Sequence, residues 1–214
     1  WLFASTDWDL RLSDPFYDPL LGIWPYKHSW WADDLIHTGG KYLVLLISAA
    51  SLLVYIGSYL SEGWRRRRRA ALFLCLCIGL STGLVAVGKE LSSRHCPWDY
   101  ARYGGAVPYL NMFSESPVEC KPGRCFPAGH ASGGFSLVGL YFVFRRRSQA
   151  LAGLGLGLGL GLGTLFGFGQ VARGAHFFSH NLWTAAICWA VGLGLYVWLF
   201  RGKVGPEPDS KRLT

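Results

Sequence analysis

Three short polar segments carry the side chains in this sequence best suited to chemistry. They span residues 89–99, 126–130 and 173–180, and together they contain histidine, lysine and arginine in an otherwise apolar chain. A neutral imidazole can attack phosphorus and carry the phosphoryl group covalently, and a second imidazole can move the proton. Neighbouring cations stabilise the charge that develops on the phosphoryl oxygens. These residue types therefore predict phosphoryl chemistry that needs neither a metal nor another cofactor.

The elements that must position these segments are membrane-spanning helices. Apolar residues make up 51% of the chain and aromatic residues 15%, and the mean hydropathy is +0.24. Several windows of about twenty residues are almost free of charge, which is typical of spans and not of soluble domains. The net charge of +8 sits in clusters that flank these windows. This placement indicates membrane topology and argues against a nucleic-acid surface.

We predict an all-α, polytopic transmembrane helical bundle with five visible spans, at about 41–60, 70–88, 128–145, 150–169 and 182–200. Residues 1–40 are rich in Trp, Tyr and Asp and form an interfacial segment that anchors the chain, or less readily contacts a lipid. Residues 41–200 form the transmembrane domain, and 201–214 form a basic tail. The Leu-Gly alternation from Gly153 to Gly163 predicts close helix packing. The chain opens at Trp1, which suggests a longer native protein with six helices.

The basic clusters predict the orientation of the bundle. Arg65 to Arg69, Arg145 to Arg147 and the C-terminal tail fall at alternate ends of the five spans. The positive-inside rule places all of them in the cytoplasm. The three polar segments then share the opposite face, so we expect a multi-pass protein of the cytoplasmic (inner) membrane with its active site towards the periplasm or exterior.

On that face the residues suit an anion, most plausibly phosphate. Arg173, His176 and His180 have the spacing i, i+3, i+7 and would share one face of a helix. Gly129 precedes His130 at the expected start of a helix, where backbone N–H groups can bind a phosphate oxygen.

The three segments resemble the signature blocks of the type-2 phosphatidic acid phosphatase superfamily, over roughly residues 40 to 200. The family's K-x6-R-P block is matched by Lys89 with Cys96-Pro97, and its P-S-G-H block by Pro127-Ala128-Gly129-His130. Its S-R-x5-H-x3-D block is matched by Gly169-Gln170, His176 and His180. Both clamp arginines are replaced, by Cys96 and Gln170, and the serine is Ala128.

The resemblance implies a role for each matched position. His176 corresponds to the nucleophile, His130 to the general acid and base, and Lys89 to a phosphate clamp. His180 replaces the carboxylate that orients the nucleophile. The expected phosphate-binding set, including displaced guanidinium groups, is Lys89, Arg173, Arg94, Gly129, Gln170 and Arg102.

The function that follows is an integral membrane hydrolase that removes phosphate from a lipid phosphate or pyrophosphate through a phosphohistidine. The resemblance implies lipid A, undecaprenyl pyrophosphate or a phosphatidate-type lipid as substrate. Three alternatives remain open: phosphotransfer to a second lipid, a zinc site built from His130, His176 and His180, and a lipid-binding protein without activity. In the polar loop, a Cys120–Cys125 disulfide is the simplest pairing for an oxidising compartment, and Asp99 with Arg102 could form an ion pair.

Overall fold

The computed structural model describes residues 2–109 and 122–200, and every regular element in these ranges is helical. Four helices are long and apolar enough to cross a membrane: Trp30–Gly57, Arg68–Leu91, Gln149–Ala172 and Phe178–Phe200. Large apolar side chains on the outer faces of these helices are exposed, as expected for surfaces that face lipid. The prediction of an all-α polytopic bundle is confirmed.

Nine α-helices, and several 3-10 and π-type turns, follow one another along the described chain. The α-helices are α1 (Leu2–Ser5), α2 (Trp8–Ser13), α3 (Gly40–Gly57), α4 (Glu62–Arg65), α5 (Arg68–Leu91), α6 (Gly129–Ser136), α7 (Gly139–Phe144), α8 (Gln149–Ala172) and α9 (Phe178–Phe200). A π-type segment, Trp30–Gly39, runs directly into α3. The first long helix therefore starts about ten residues before the span predicted from residue 41.

The predicted span 128–145 is not one helix but two short ones, α6 with eight residues and α7 with six. Most of their side chains are buried by α5, α8 and α9, so this pair forms the inside of the bundle. The helical path breaks around Leu137 and Val138, which are both buried. This part of the chain does not meet the length of a membrane-spanning helix, which corrects the prediction of a single span at 128–145.

The Leu-Gly run packs α8 against α6 and α7. A Cβ atom added to Gly159 would lie 2.4 Å from the backbone nitrogen of Val138, and one added to Gly134 would lie 2.4 Å from that of Gly163. Around Gly157, in contrast, nothing lies within 4 Å of such an atom. The glycines of one helical face therefore let two backbones meet, and the predicted packing role of the run is confirmed.

The arginine clusters gather at one end of the bundle. Arg146 donates a hydrogen bond to Tyr196 near the end of α9, and Arg68 bonds to Ser58 at the end of α3. Arg67 and Arg147 line the same groove. The polar segments lie at the other end, as the orientation prediction requires. The basic tail, 201–214, lies outside the described residues.

The N-terminal segment packs onto the end of the bundle that holds the polar segments. Asp9 is buried and accepts hydrogen bonds from the backbone N–H and the hydroxyl of Ser179 in the first turn of α9. The Trp24 ring lies 4.9 Å from that of Tyr103 and covers Gly174. Gly174 has φ +73, a conformation that favours glycine. The segment thus covers the turn that carries His176.

Candidate active site

The central feature of this end is a cavity of about 760 Å³ that starts among histidines and continues between α3 and α5. Its polar lining consists of the backbone of Gly129 and the side chains of His37, Lys41, Ser48, Thr82, Lys89, His130, Ser132, Gln170 and His176. Its apolar wall includes Val44, Leu45, Leu52, Cys75, Ile78 and Gly79. The cavity therefore offers one polar end and one apolar groove in the same space.

His176 lies in the turn between α8 and α9, since α8 ends at Ala172 and α9 begins at Phe178. Arg173 caps α8, and His180 lies in the first turn of α9. The three side chains are consequently not on one helix, and the predicted i, i+3, i+7 face is corrected. The chain turns at Gly174, whose positive φ cannot continue the helix.

His176 and His180 meet through their Nδ1 atoms, which lie 3.5 Å apart. In such a contact one ring donates and the other accepts, so each ring orients the other. The Nδ1 atom of His176 also lies 3.5 Å from the sulfur of Cys125. Burial, together with electrostatic repulsion from the neighbouring His180 ring and from Lys89, holds the pKa of His176 well below its usual range. A neutral imidazole therefore lines the cavity.

His130 stands at the start of α6, beside the open backbone of Gly129. Its Nε2 lies 3.2 Å from the carbonyl oxygen of Ile36. Because a carbonyl only accepts, Nε2 carries the hydrogen and Nδ1 remains available for proton exchange. The ring packs between His37, at a centroid distance of 4.6 Å, and Phe166, at 5.2 Å.

Gln170 takes the place of a clamp arginine in the third block. The residue is buried and lines the cavity, and its amide Nε2 has no hydrogen-bond partner among the described residues. A buried donor without a partner is costly, and an anion in the cavity would satisfy it.

Three predicted phosphate ligands do not line this cavity. The guanidinium of Arg173 binds the Lys27 carbonyl at 3.0 Å and the Asp33 carboxylate at 2.9 Å. Arg102 forms a two-bond ion pair with Asp14 and not with Asp99. Arg94 lines a separate groove beside Phe126 and Trp183. His180 is buried behind His176, so it can act on the cavity only through that ring.

The disulfide joins Cys96 to Cys125, which corrects the expected Cys120–Cys125 pairing. Cys120 lies outside the described residues. The bridge connects the Cys96-Pro97 block to the segment just before His130, and its Cys125 sulfur packs against His176.

The zinc alternative does not fit this arrangement. Cys125, His176 and His180 place their potential ligand atoms within 4.8 Å of one another. Because the Cys125 sulfur is bonded to Cys96, it is not the thiolate that zinc requires. His130 instead turns its Nε2 to Ile36, and Lys89 would repel a dication.

Sequence reasoning missed two basic side chains, His37 and Lys41, which the first long helix brings into the cavity. It also missed Asp33, whose carboxylate lies between Arg173 and His37, 3.4 Å from His37 Nδ1. The signal for His37 and Lys41 was their i, i+4 spacing just before an apolar run. The role of Asp33 depends on a contact across 140 residues, which no local pattern contains.

Apolar helices surround a cavity lined by histidines, lysines and an unsatisfied amide, and such a cavity suits an anion. The sequence matches the PAP2 superfamily over residues 70–203, and the chain belongs to this superfamily, whose members are phosphatases acting on phosphate-containing substrates. Comparisons with curated proteins and with solved structures gave no significant match. The matched range contains all three polar segments but not the helix Trp30–Gly57.

Proposed function

We propose that the protein is an integral membrane lipid phosphatase that removes phosphate from a lipid phosphate or diphosphate through a phosphohistidine on His176. The observation that carries the proposal is the two-part cavity. Its polar end suits a phosphate group, and its apolar groove between α3 and α5 suits the tail of an amphipathic substrate. A soluble phosphate ester has no apolar tail that could fill that groove.

The chemistry follows from the nitrogen atoms that the protein leaves available. Because Nδ1 of His176 faces His180 and Cys125, Nε2 is the nitrogen that can attack phosphorus. His130 gives a proton to the leaving oxygen and then takes one from the water that hydrolyses the phosphohistidine. Lys89, the Gln170 amide and the backbone N–H groups at Gly129 hold the phosphoryl oxygens.

We propose the cytoplasmic (inner) membrane as the location, with the cavity towards the periplasm. Two independent features support this orientation. The arginine clusters lie at the opposite end of the bundle, and the Cys96–Cys125 disulfide lies at the cavity end, where an oxidising compartment would preserve it. Cysteines introduced at the exposed positions His28 and Arg66, each in a Cys120→Ala background, would test it: a membrane-impermeant thiol reagent on intact cells should label only His28→Cys.

The activity is tested by phosphate release from lipid A, undecaprenyl pyrophosphate and phosphatidate in EDTA, beside His176→Ala. We expect release that survives EDTA and falls in the variant by about a thousandfold or more. Loss of activity in EDTA would support a metal mechanism instead. If no lipid releases phosphate, the hydrolase proposal fails, and a radiolabelled acceptor lipid separates phosphotransfer from simple lipid binding.

A further inference from the structure

Two basic side chains in the cavity have no role in the mechanism above. His37 and Lys41 lie one helical turn apart on the helix Trp30–Gly57, outside the part of the chain that matches the family. Lys41 is exposed, and none of the ion pairs of the described residues includes it. A lysine on a membrane-spanning helix is costly and normally marks a binding site or an ion partner.

His37 and Lys41 lie at different depths along the cavity. The first long helix contributes cavity residues at positions 37, 41, 45, 48 and 52, and α5 contributes residues at 75, 79, 82, 86 and 89. Because the two helices are consecutive, antiparallel and joined by a short connection, these residues pair in reverse order. His37 therefore lies level with Lys89, and Lys41 lies about 6 Å deeper, beside Ala86. Beyond Lys41 the two walls of the groove are largely apolar, with the hydroxyl groups of Ser48 and Thr82 among them.

The electrostatic neighbours agree with this order. Lys89 and His130 are charged or titratable neighbours of His176, whereas the charged neighbours of His37 are Arg173, Asp33 and Lys41. His130 lies between the two groups, in ring contact with His37. Starting from the nucleophile His176, the cavity presents Lys89 first, then the proton donor His130. His37 with Lys41 comes next, and the apolar groove follows.

We propose that His37 and Lys41 form a second anion subsite, which binds a phosphate on the leaving group, so that lipid diphosphates are the preferred substrates. The inference rests on the proposed phosphatase function. The bond from His176 forms at the terminal phosphorus while the bridging P–O bond breaks. The bridging oxygen takes a proton from His130 and leaves as the lipid monophosphate. Water then hydrolyses the phosphohistidine, returns a proton to His130 and releases inorganic phosphate.

The test compares substrates that differ by one phosphate: farnesyl diphosphate with farnesyl monophosphate, and diacylglycerol pyrophosphate with phosphatidate. The wild-type protein should prefer the diphosphate of each pair in kcat/KM by about tenfold or more. Lys41→Ala should lower the diphosphate-to-monophosphate ratio by about 10- to 100-fold, because a charge-assisted contact to the second phosphate is lost. Lys41→Arg should restore most of the ratio. Arg65→Gln, which removes one positive charge at the far end of the bundle, should leave the ratio unchanged.

Two results would overturn the subsite while the phosphatase proposal stands: equal losses on both members of a pair in Lys41→Ala, or a wild-type preference for monophosphates. If no lipid is hydrolysed, the phosphatase proposal fails. The second anion subsite is then tested by comparing binding affinities. Titration calorimetry with His176→Ala should show tighter binding of farnesyl diphosphate than of the monophosphate. Equal affinities, or a preference that survives the added Lys41→Ala change, would refute the subsite.

Discussion

In the family motif a carboxylate orients the nucleophilic histidine. In this protein the contact between the Nδ1 atoms of His176 and His180 takes that role. At 3.5 Å the two rings can share one hydrogen, and His180 itself is held by the packed ring of Phe126. A neutral imidazole orients its partner without adding negative charge. The nucleophile is therefore positioned by hydrogen bonding and burial and not by an ion pair.

Replacing His180 tests this positioning role. His180→Ala should lower kcat by about a hundredfold, since a misplaced reacting group costs about that much, and leave KM nearly unchanged. His180→Asn should recover part of the rate because its amide can still bond to the His176 ring. Rapid-quench trapping of the phosphohistidine should show slower formation in His180→Ala. An unchanged rate of formation would contradict the positioning role.

The pH dependence of phosphohistidine formation reports on His176. The neutral ring attacks, and the pKa of this group is lowered by burial and by repulsion from its neighbours His180 and Lys89. As pH falls, the ring stays neutral past its usual value of 6.5, so the rate should hold at pH 6.5 and fall only below it.

Rapid-quench measurements across this range would check the expectation, with His28→Gln as a control for a largely exposed histidine at the same end of the protein. A half-maximal rate at or above pH 6.5 would mean that the buried ring is not the nucleophile.

Among the elements, α8 sets how closely the inner helices approach. Its inward glycines at 155, 159 and 163 meet the backbone or side chains of α6 and α7, whereas the glycines at 153, 157 and 161 face open space. The alternation of period two in sequence thus becomes two opposite faces on a helix. Because α6 carries Gly129 and His130, this approach also fixes the wall of the cavity.

A matched pair of substitutions compares the inward and the open glycine faces of α8. Gly159→Ala should destabilise the protein by about 1–3 kcal/mol, because its Cβ would collide with the α7 side of the helical break near Val138. Gly157→Ala on the open face should be neutral or slightly stabilising, by up to about 1 kcal/mol, because alanine favours the helix. Thermal unfolding in detergent would measure both. Equal effects would show that α8 does not pack through this face.

At the scale of the whole molecule, the cavity end is assembled from segments distant in sequence. The Cys96–Cys125 disulfide ties the loop after α5 to the start of α6. Asp9 caps α9 from the N-terminal segment, and burial raises the pKa of its carboxyl despite the bonds from Ser179. Asp33 links Arg173 to the first long helix.

The disulfide gives a prediction at this scale. Peptide mapping without reduction should recover Cys96 linked to Cys125, and Cys96→Ala should lower stability by about 2–4 kcal/mol because the unfolded chain gains freedom. Cys120→Ala serves as the matched control and should leave the unfolding temperature unchanged. A Cys120–Cys125 peptide, or an equal loss in the control, would restore the pairing expected from sequence.

The sequence by itself determined the helical membrane fold, the ends of most long helices, the packing role of the Leu-Gly run and the three polar blocks. These properties depend on local composition and periodicity, which each segment carries alone. Only the tertiary structure decided that 128–145 breaks into α6 and α7, that Cys96 pairs with Cys125, and that His37 and Lys41 reach the cavity while Arg173 and Arg102 do not. Such outcomes depend on which surfaces meet across separations from about 30 to 140 residues, and packing settles that only when the whole bundle forms.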